Sequence, residues 1–209
     1  ALNFNENLCG VKINKKWGFI NKKGVMIIDP KFSYVNSFNN GRALVEIKNR
    51  YGYIDKKGDV VIEGDYIMGS DFSQNLASVR KDNKWGYIDK SGKLVIDYSF
   101  DKAKNFKDGL APICVNNKWG YIDLKGNLVI DLKYEYACSF NEGLGRINMK
   151  NGIFSQGLWG FINKEGEVII EPKFKSISDF DGGYAQINES KNNYIDKSGN
   201  LILNHNFNY

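Results

Sequence analysis

Residues 16–24 read KWGFINKKG, and near copies follow as RYGYIDKKG from 50, KWGYIDKSG from 84, KWGYIDLKG from 118 and LWGFINKEG from 158. Such recurrence means either a repeated ligand site or a repeated piece of architecture. The spacing favours architecture. Trp17, Tyr51, Trp85 and Trp119 stand 34 residues apart and Trp159 follows after 40, which is the period of a supersecondary unit stacked on copies of itself. A sixth copy, NNYIDKSGNLIL from 192, keeps the tail of the motif but has Asn192 and Asn193 in place of Trp-Gly.

A second column, Phe4, Phe38, Phe72, Phe106, Phe140 and Phe180, marks the start of each unit. Counted from it, residues 1–209 form a single repeat domain of units 4–37, 38–71, 72–105, 106–139, 140–179 and 180–209. Three positions after the Phe comes Gly or Asn, the residues that enter the left-handed region most cheaply, so a turn is expected there. A small residue (Cys9, Ala43, Ala77, Ala111, Gly145, Ala185) and then a β-branched one (Val11, Val45, Val79, Ile113, Ile147, Ile187) follow at steps of two. That period is a strand with one buried face and a close neighbour.

The WG motif is the second strand. Trp and the Phe or Tyr two residues on share one face, Gly and the following Ile the other, and both faces read as buried packing. Asn or Asp then opens a tight turn that Gly closes, which is hairpin chemistry. The third strand, VMII in the first unit and NLVI in the fourth, is short and apolar and is expected to end at an acid (Asp29, Glu63, Asp97, Asp131, Glu171). Strands apolar on both faces cannot stand alone as a small sheet, so neighbouring units must cover each other. The expected fold is all-β: six three-stranded antiparallel meanders stacked face to face, as a propeller-like ring or an open β-solenoid or superhelix.

The pattern W-G-[FY]-I-[ND]-x-x-G with [VI]-I-[DE] and F-x-x-G-x-A-x-V resembles the WG (KWG) repeat family of bacterial proteins over essentially the whole chain. The resemblance implies a β-rich repeat scaffold, often in surface or secreted proteins, with no shared catalytic residues. It implies a bacterial source and is compatible with an exported or cell-surface protein.

Composition agrees. With 42% apolar residues, 14% aromatics and three prolines the chain suits strands and tight turns. No apolar run is long enough to span a membrane as a helix, and ALNFNENLCG has neither the basic start nor the apolar stretch of a signal peptide. The net charge of +5 comes from lysines spread along the chain, short of a nucleic-acid signature, so no nucleic-acid partner is expected. Cys9, Cys114 and Cys138 occupy different repeat positions and read as free thiols.

No catalytic constellation emerges: the one histidine, His205, falls in the C-terminal tail, and no HExxH, GxSxG or P-loop spacing occurs. The recurrent Asp55, Asp89, Asp123 and Asp196 read as Asx-turn acceptors rather than general bases or a cation site. Turn lysines Lys22, Lys56, Lys90, Lys164 and Lys197 read as a solvated rim. Departures from the repeat carry more functional weight than its columns. MKNGIFSQGL, 149–158, is six residues longer than its counterparts and places Ile153 and Phe154 in a polar hairpin loop; EGDYIMGSDF, 63–72, presents Met68. The expectation is a monomeric, non-enzymatic scaffold without cofactor or metal. It binds another protein, in an immunity-type or surface role, through one rim and Asn151, Ile153, Phe154, Gln156 and Met68. A glycan-binding lectin is the alternative, and it requires repeated exposed aromatic pockets.

Overall fold

A computed structural model describes residues 1–150, 157–187 and 193–203 of the chain. The described backbone is strands and turns, with no helix among the described residues. Two compact units, Ala1–Phe106 and Lys107–Tyr209, each carry three of the six meanders. In the first, the meanders are Leu8–Ile13, Lys16–Asn21 and Met26–Phe32; Ala43–Ile47, Arg50–Ile54 and Val60–Tyr66; and Leu76–Lys81, Lys84–Asp89 and Leu94–Phe100. In the second they are Leu110–Val115, Lys118–Asp123 and Leu128–Tyr134; Leu144–Met149, Leu158–Ile162 and Val168–Phe174; and Tyr184–Gln186, Asn193–Asp196 and Leu201–Leu203. A leading strand adds to some meanders, as Met68–Gly69 does to the third and Tyr136–Asn141 to the fifth.

The turns form for the reason the sequence gives. In every repeat the Oδ1 of Asn21, Asp55, Asp89, Asp123, Asn163 or Asp196 accepts backbone N–H bonds from the residues two and four positions on, at 2.8–3.1 Å. Neutral Asn serves as well as charged Asp, so the acceptor geometry is what matters. In the first, second and fourth repeats the first and second strands meet through two-residue turns whose residues both have positive φ: Asn14-Lys15, Lys48-Asn49 and Asn116-Asn117. That backbone matches the right-handed twist of the flanking strands.

Two expectations need correction. The third strand does not stop at the acid: it continues to the next aromatic, so that Trp17 pairs with Phe32 while Phe19 pairs with Ile28. The extra residues bulge outward, the acids Asp29, Glu63, Asp97, Asp131 and Glu171 are exposed, and only one apolar residue of each run, such as Ile28 or Ile170, is buried. Its neighbours Ile27, Val95, Val129 and Ile169 face outward. The bulge also explains the glycine of the motif. A Cβ on Gly52 would lie 2.5 Å from the Ile62 carbonyl oxygen and one on Gly86 2.7 Å from that of Ile96, so no larger residue fits where the bulged strand crosses.

The second correction concerns the tryptophans. Trp119 is buried, but Trp17, Trp85 and Trp159 are half-buried. The deep core belongs to the aromatic two residues later: Phe19, Tyr53, Tyr87, Tyr121 and Phe161 are at most 1% exposed. Each packs on the leading Phe of the following repeat (Phe38, Phe72, Phe106, Phe140, Phe180) with ring centroids 4.7–5.0 Å apart. Tilted and edge-on rings at that separation are favourable beyond their buried area. Where the ring is Tyr, its hydroxyl donates to a backbone carbonyl of the next leading segment: Tyr53 to Ser70 at 2.7 Å, and Tyr87 to Lys104 and Tyr121 to Cys138 at 2.8 Å. The small column fits underneath, with Ala43, Ala77, Ala111 and Ala185 almost fully covered.

Candidate functional site

With the columns absorbed by packing, the surface chemistry lies where a repeat departs from them. Met68 sits on the leading strand of the third meander, opposite Arg80, and is 45% exposed. With Tyr34, Leu44, Tyr51 and Gly69 it lines a shallow hollow of about 130 Å3. Tyr34 and Tyr51 meet edge to face at 5.8 Å, and the Arg80 guanidinium lies 3.8 Å from the Met68 sulfur. Asn36 accepts from the Tyr34 hydroxyl, and its Nδ2 donates to the Asp71 carboxylate at 2.9 Å. Burial holds the Asp71 carboxyl above its ordinary range, the Asn36 bond opposing it only in part. Asn151, Ile153, Phe154, Gln156 and His205 lie outside the described residues.

The second unit holds a cluster that the sequence reading did not single out. Tyr136, 40% exposed, lies between Trp119 at 5.0 Å and Trp159 at 5.8 Å. Over the Trp159 ring stands the Arg146 guanidinium, 4.6 Å from its centroid. Arg146 is fixed from three sides: Nε donates to Asp179 at 2.7 Å, one terminal nitrogen donates to the Ile177 carbonyl, and the other lies 3.4 Å from Cys138 Sγ. A guanidinium held over an indole by a carboxylate is a pre-organised contact group, because little side-chain freedom remains to be lost on binding. The available signal was positional. Arg146 stands where other repeats carry Gly10, Leu44, Ser78, Pro112 or Gln186.

The lysine rim is partly engaged in holding repeats together. Lys56 pairs with Glu6 and Lys197 with Glu142, both at 3.0 Å. Glu6 also accepts from Gly41 N, and Glu142 from Gly182 N and Gly183 N. Both carboxyls are held below the usual range; the Lys197 bond is the main cause at Glu142, whereas at Glu6 the Lys56 and backbone bonds outweigh a desolvation effect of opposite sign. These are architectural contacts.

Against known proteins, the WG containing repeat family matches at residues 1–17, 17–51, 51–85, 85–119, 119–152 and 159–192. Its register confirms the repeat read from the sequence. No curated protein matches the chain. Among solved structures, one titled a crystal structure of the eukaryotic initiation factor is similar at a TM-score of 0.61 and 12% identity, over 93% of this chain and 62% of that one. The structure of Kluyveromyces lactis Hsv2p is similar at a TM-score of 0.56 and 12% identity, over 94% and 70%. At these identities the likeness concerns fold alone, and the fold is propeller-like, all-β and built from small antiparallel sheets. No helix among the described residues is long and apolar enough to cross a membrane.

Proposed function

The chain belongs to the WG containing repeat family, and on that scaffold we propose a non-enzymatic binding protein whose target is another protein, held on the Tyr136, Trp159 and Arg146 surface. One observation carries this: Tyr136 is exposed between two tryptophans, beside a guanidinium already fixed over one of them. Trp, Tyr and Arg dominate the energetics of protein interfaces because they offer large, rigid contact area with a polar edge. Met68 and the 151–157 loop belong to the same reading as further contacts, in an immunity-type or surface role. The recurrent carboxylates serve as turn acceptors, and Asp89, Asp123 and Asp196 have lowered pKa values, which suits hydrogen-bond acceptance better than proton abstraction.

The test is affinity capture from the native host and identification of the captured protein, followed by titration of the purified pair. Tyr136→Ala is expected to weaken that complex more than tenfold with little change in thermal unfolding. Unchanged affinity in both Tyr136→Ala and Arg146→Ala would overturn the assignment. A glycan reading rests on the same exposed Tyr136 ring beside the Arg146–Asp179 pair, since sugars stack on aromatics and bond to such pairs. Binding to a glycan array that Tyr136→Ala abolishes would select it.

A further inference from the structure

The hollow beside Met68 is built from the same repeat slots as the Tyr136 surface. Tyr34 stands in the slot of Tyr136, Tyr51 in that of Trp159, and Asp71 in that of Asp179. The ring geometry is kept as well: Tyr34 meets Tyr51 edge to face at 5.8 Å, and Tyr136 meets Trp159 edge to face at 5.8 Å. The decisive difference is one slot. In the fifth repeat Arg146 fills it, setting its guanidinium over the Trp159 ring and donating to Asp179 and to the Ile177 carbonyl. In the second repeat that slot holds Leu44, which lines the hollow together with Gly69, the counterpart of Ile177. Asp71 is left without the cation that Asp179 has. Its one side-chain hydrogen bond among the described residues comes from neutral Asn36, and none of the described ion pairs includes it. Burial raises its carboxyl, with the Asn36 bond as the opposing effect. Tyr34 ties Asp71 to the hollow, because its ring lines the hollow and its hydroxyl donates to the same Asn36. Arg80, across the ladder from Met68, is engaged elsewhere: it donates to Asn83 at 3.2 Å and lies against the Met68 sulfur.

The geometry points to a receiving site for an arginine side chain of a protein partner: its guanidinium enters the hollow, lies against the Tyr51 ring and donates to the Asp71 carboxylate, as Arg146 does at Trp159 and Asp179. This rests on the reading of the chain as a protein-binding scaffold and names a group that the partner brings. At about 130 Å3 the hollow takes the end of a side chain and not a backbone segment. Guanidinium suits it better than ammonium, because it offers a flat face to an aromatic ring and, at its edge, several N–H donors for a carboxylate and a backbone carbonyl at once. The fifth repeat shows that arrangement completed from within the chain, with Arg146 held by Asp179 at 2.7 Å and by the Ile177 carbonyl. The second repeat has the ring and the carboxylate and lacks only the cation.

The probe is N-acetyl-arginine methylamide, titrated into the isotope-labelled full chain and followed by amide chemical shifts. Saturable shifts are expected at Gly69, Ser70 and Asp71. The citrulline counterpart has the same shape without the charge, and Asp71→Asn removes the charge from the protein side while leaving an acceptor for Asn36. Each is expected to weaken binding by at least about tenfold, the loss that goes with a charge-assisted hydrogen bond. The lysine counterpart is expected to bind more weakly than the arginine probe. Absence of saturable shifts at those three amides overturns the proposal, as does binding that Asp71→Asn leaves unchanged, or a citrulline or lysine probe that binds as well as arginine. The titration needs no captured partner, so its failure strikes the arginine site alone. Failure of the protein-binding reading shows instead as unchanged affinity of the captured pair in Tyr136→Ala and Arg146→Ala.

Discussion

Gly52→Ala measures why the motif needs its glycine. The substituted Cβ would lie 2.5 Å from the Ile62 carbonyl oxygen and 2.9 Å from the Glu63 carbonyl carbon and the Gly64 nitrogen, all of them backbone. Ordinary contact begins near 3.4 Å, so the bulged strand has to move by roughly 0.9 Å, and no flexible side chain absorbs the shift. Overpacking costs about 1–3 kcal/mol, and a backbone obstacle places this change near the upper end. Replacing Gly also restricts the unfolded chain, which offsets about 0.4–1 kcal/mol. The expected net loss is about 2 kcal/mol, or about 1 M in urea midpoint for a slope of about 2 kcal/mol per molar. Gly41→Ala is the control, because its φ is +78° and nothing lies within 4 Å of a Cβ there. It bears only the left-handed backbone penalty of about 1 kcal/mol. Urea unfolding reads both variants, and amide hydrogen exchange at 60–62 separates them: only Gly52→Ala is expected to loosen the third strand. If Gly52→Ala is no more destabilising than Gly41→Ala and leaves those amides protected, the bulge is not what demands glycine.

Tyr53→Phe removes the hydroxyl that donates to the Ser70 carbonyl at 2.7 Å and nothing else, since Phe19 and Phe161 already occupy the same column. A loss of about 1 kcal/mol is expected in urea unfolding; an unchanged midpoint would mean the hydroxyl contributes nothing. Asp71→Asn is expected to stabilise the protein at neutral pH and much less below pH 3. The folded carboxyl pKa is raised above its ordinary 3.8 by burial, so wild type binds its proton more tightly when folded and loses stability as pH rises through that interval. The Asn side chain still accepts from Asn36 and carries no charge. Equal midpoints for the two proteins at pH 7 would contradict this.

The columns were legible because each has one dominant local cause. The Asx turns need a side-chain oxygen at one position, the turn glycines need positive φ, and the small column needs room for a neighbour; all three hold in the structure. Burial depth was not legible, because it depends on which repeat covers which. Val11 and Val45 occupy the same slot in the same strand, yet one is half-buried and the other fully buried. The tryptophans misled for a related reason: a period of two places Trp17 and Phe19 on one face but says nothing about how far the neighbour extends along it. The neighbour's Phe38 reaches Phe19 at 4.8 Å and leaves Trp17 half-covered. The third strand was cut short at its acid because a bulge turns a charged residue outward without ending the pairing.

The candidate surface was illegible for a deeper reason: it is made from slots that the repeat leaves unspecified. The slot of Tyr136 holds Tyr34, Met68, Lys102 and Ser176 elsewhere, and that of Asp179 holds Ser37, Asp71, Asn105 and Ser139. Each substitution alone is unremarkable surface variation. Stacking brings three such choices together, so that Arg146 of one strand meets Asp179 of the next repeat and the Trp159 ring beside it. Asp71 fills the same slot as Asp179 in another repeat but finds neutral Asn36 in place of a guanidinium, and burial pushes its carboxyl up. A function resting on the columns would be present in every repeat with near-equal strength. One resting on coincident unspecified slots is present once, which is the arrangement a scaffold needs to recognise a single partner without disturbing the packing that all its repeats share.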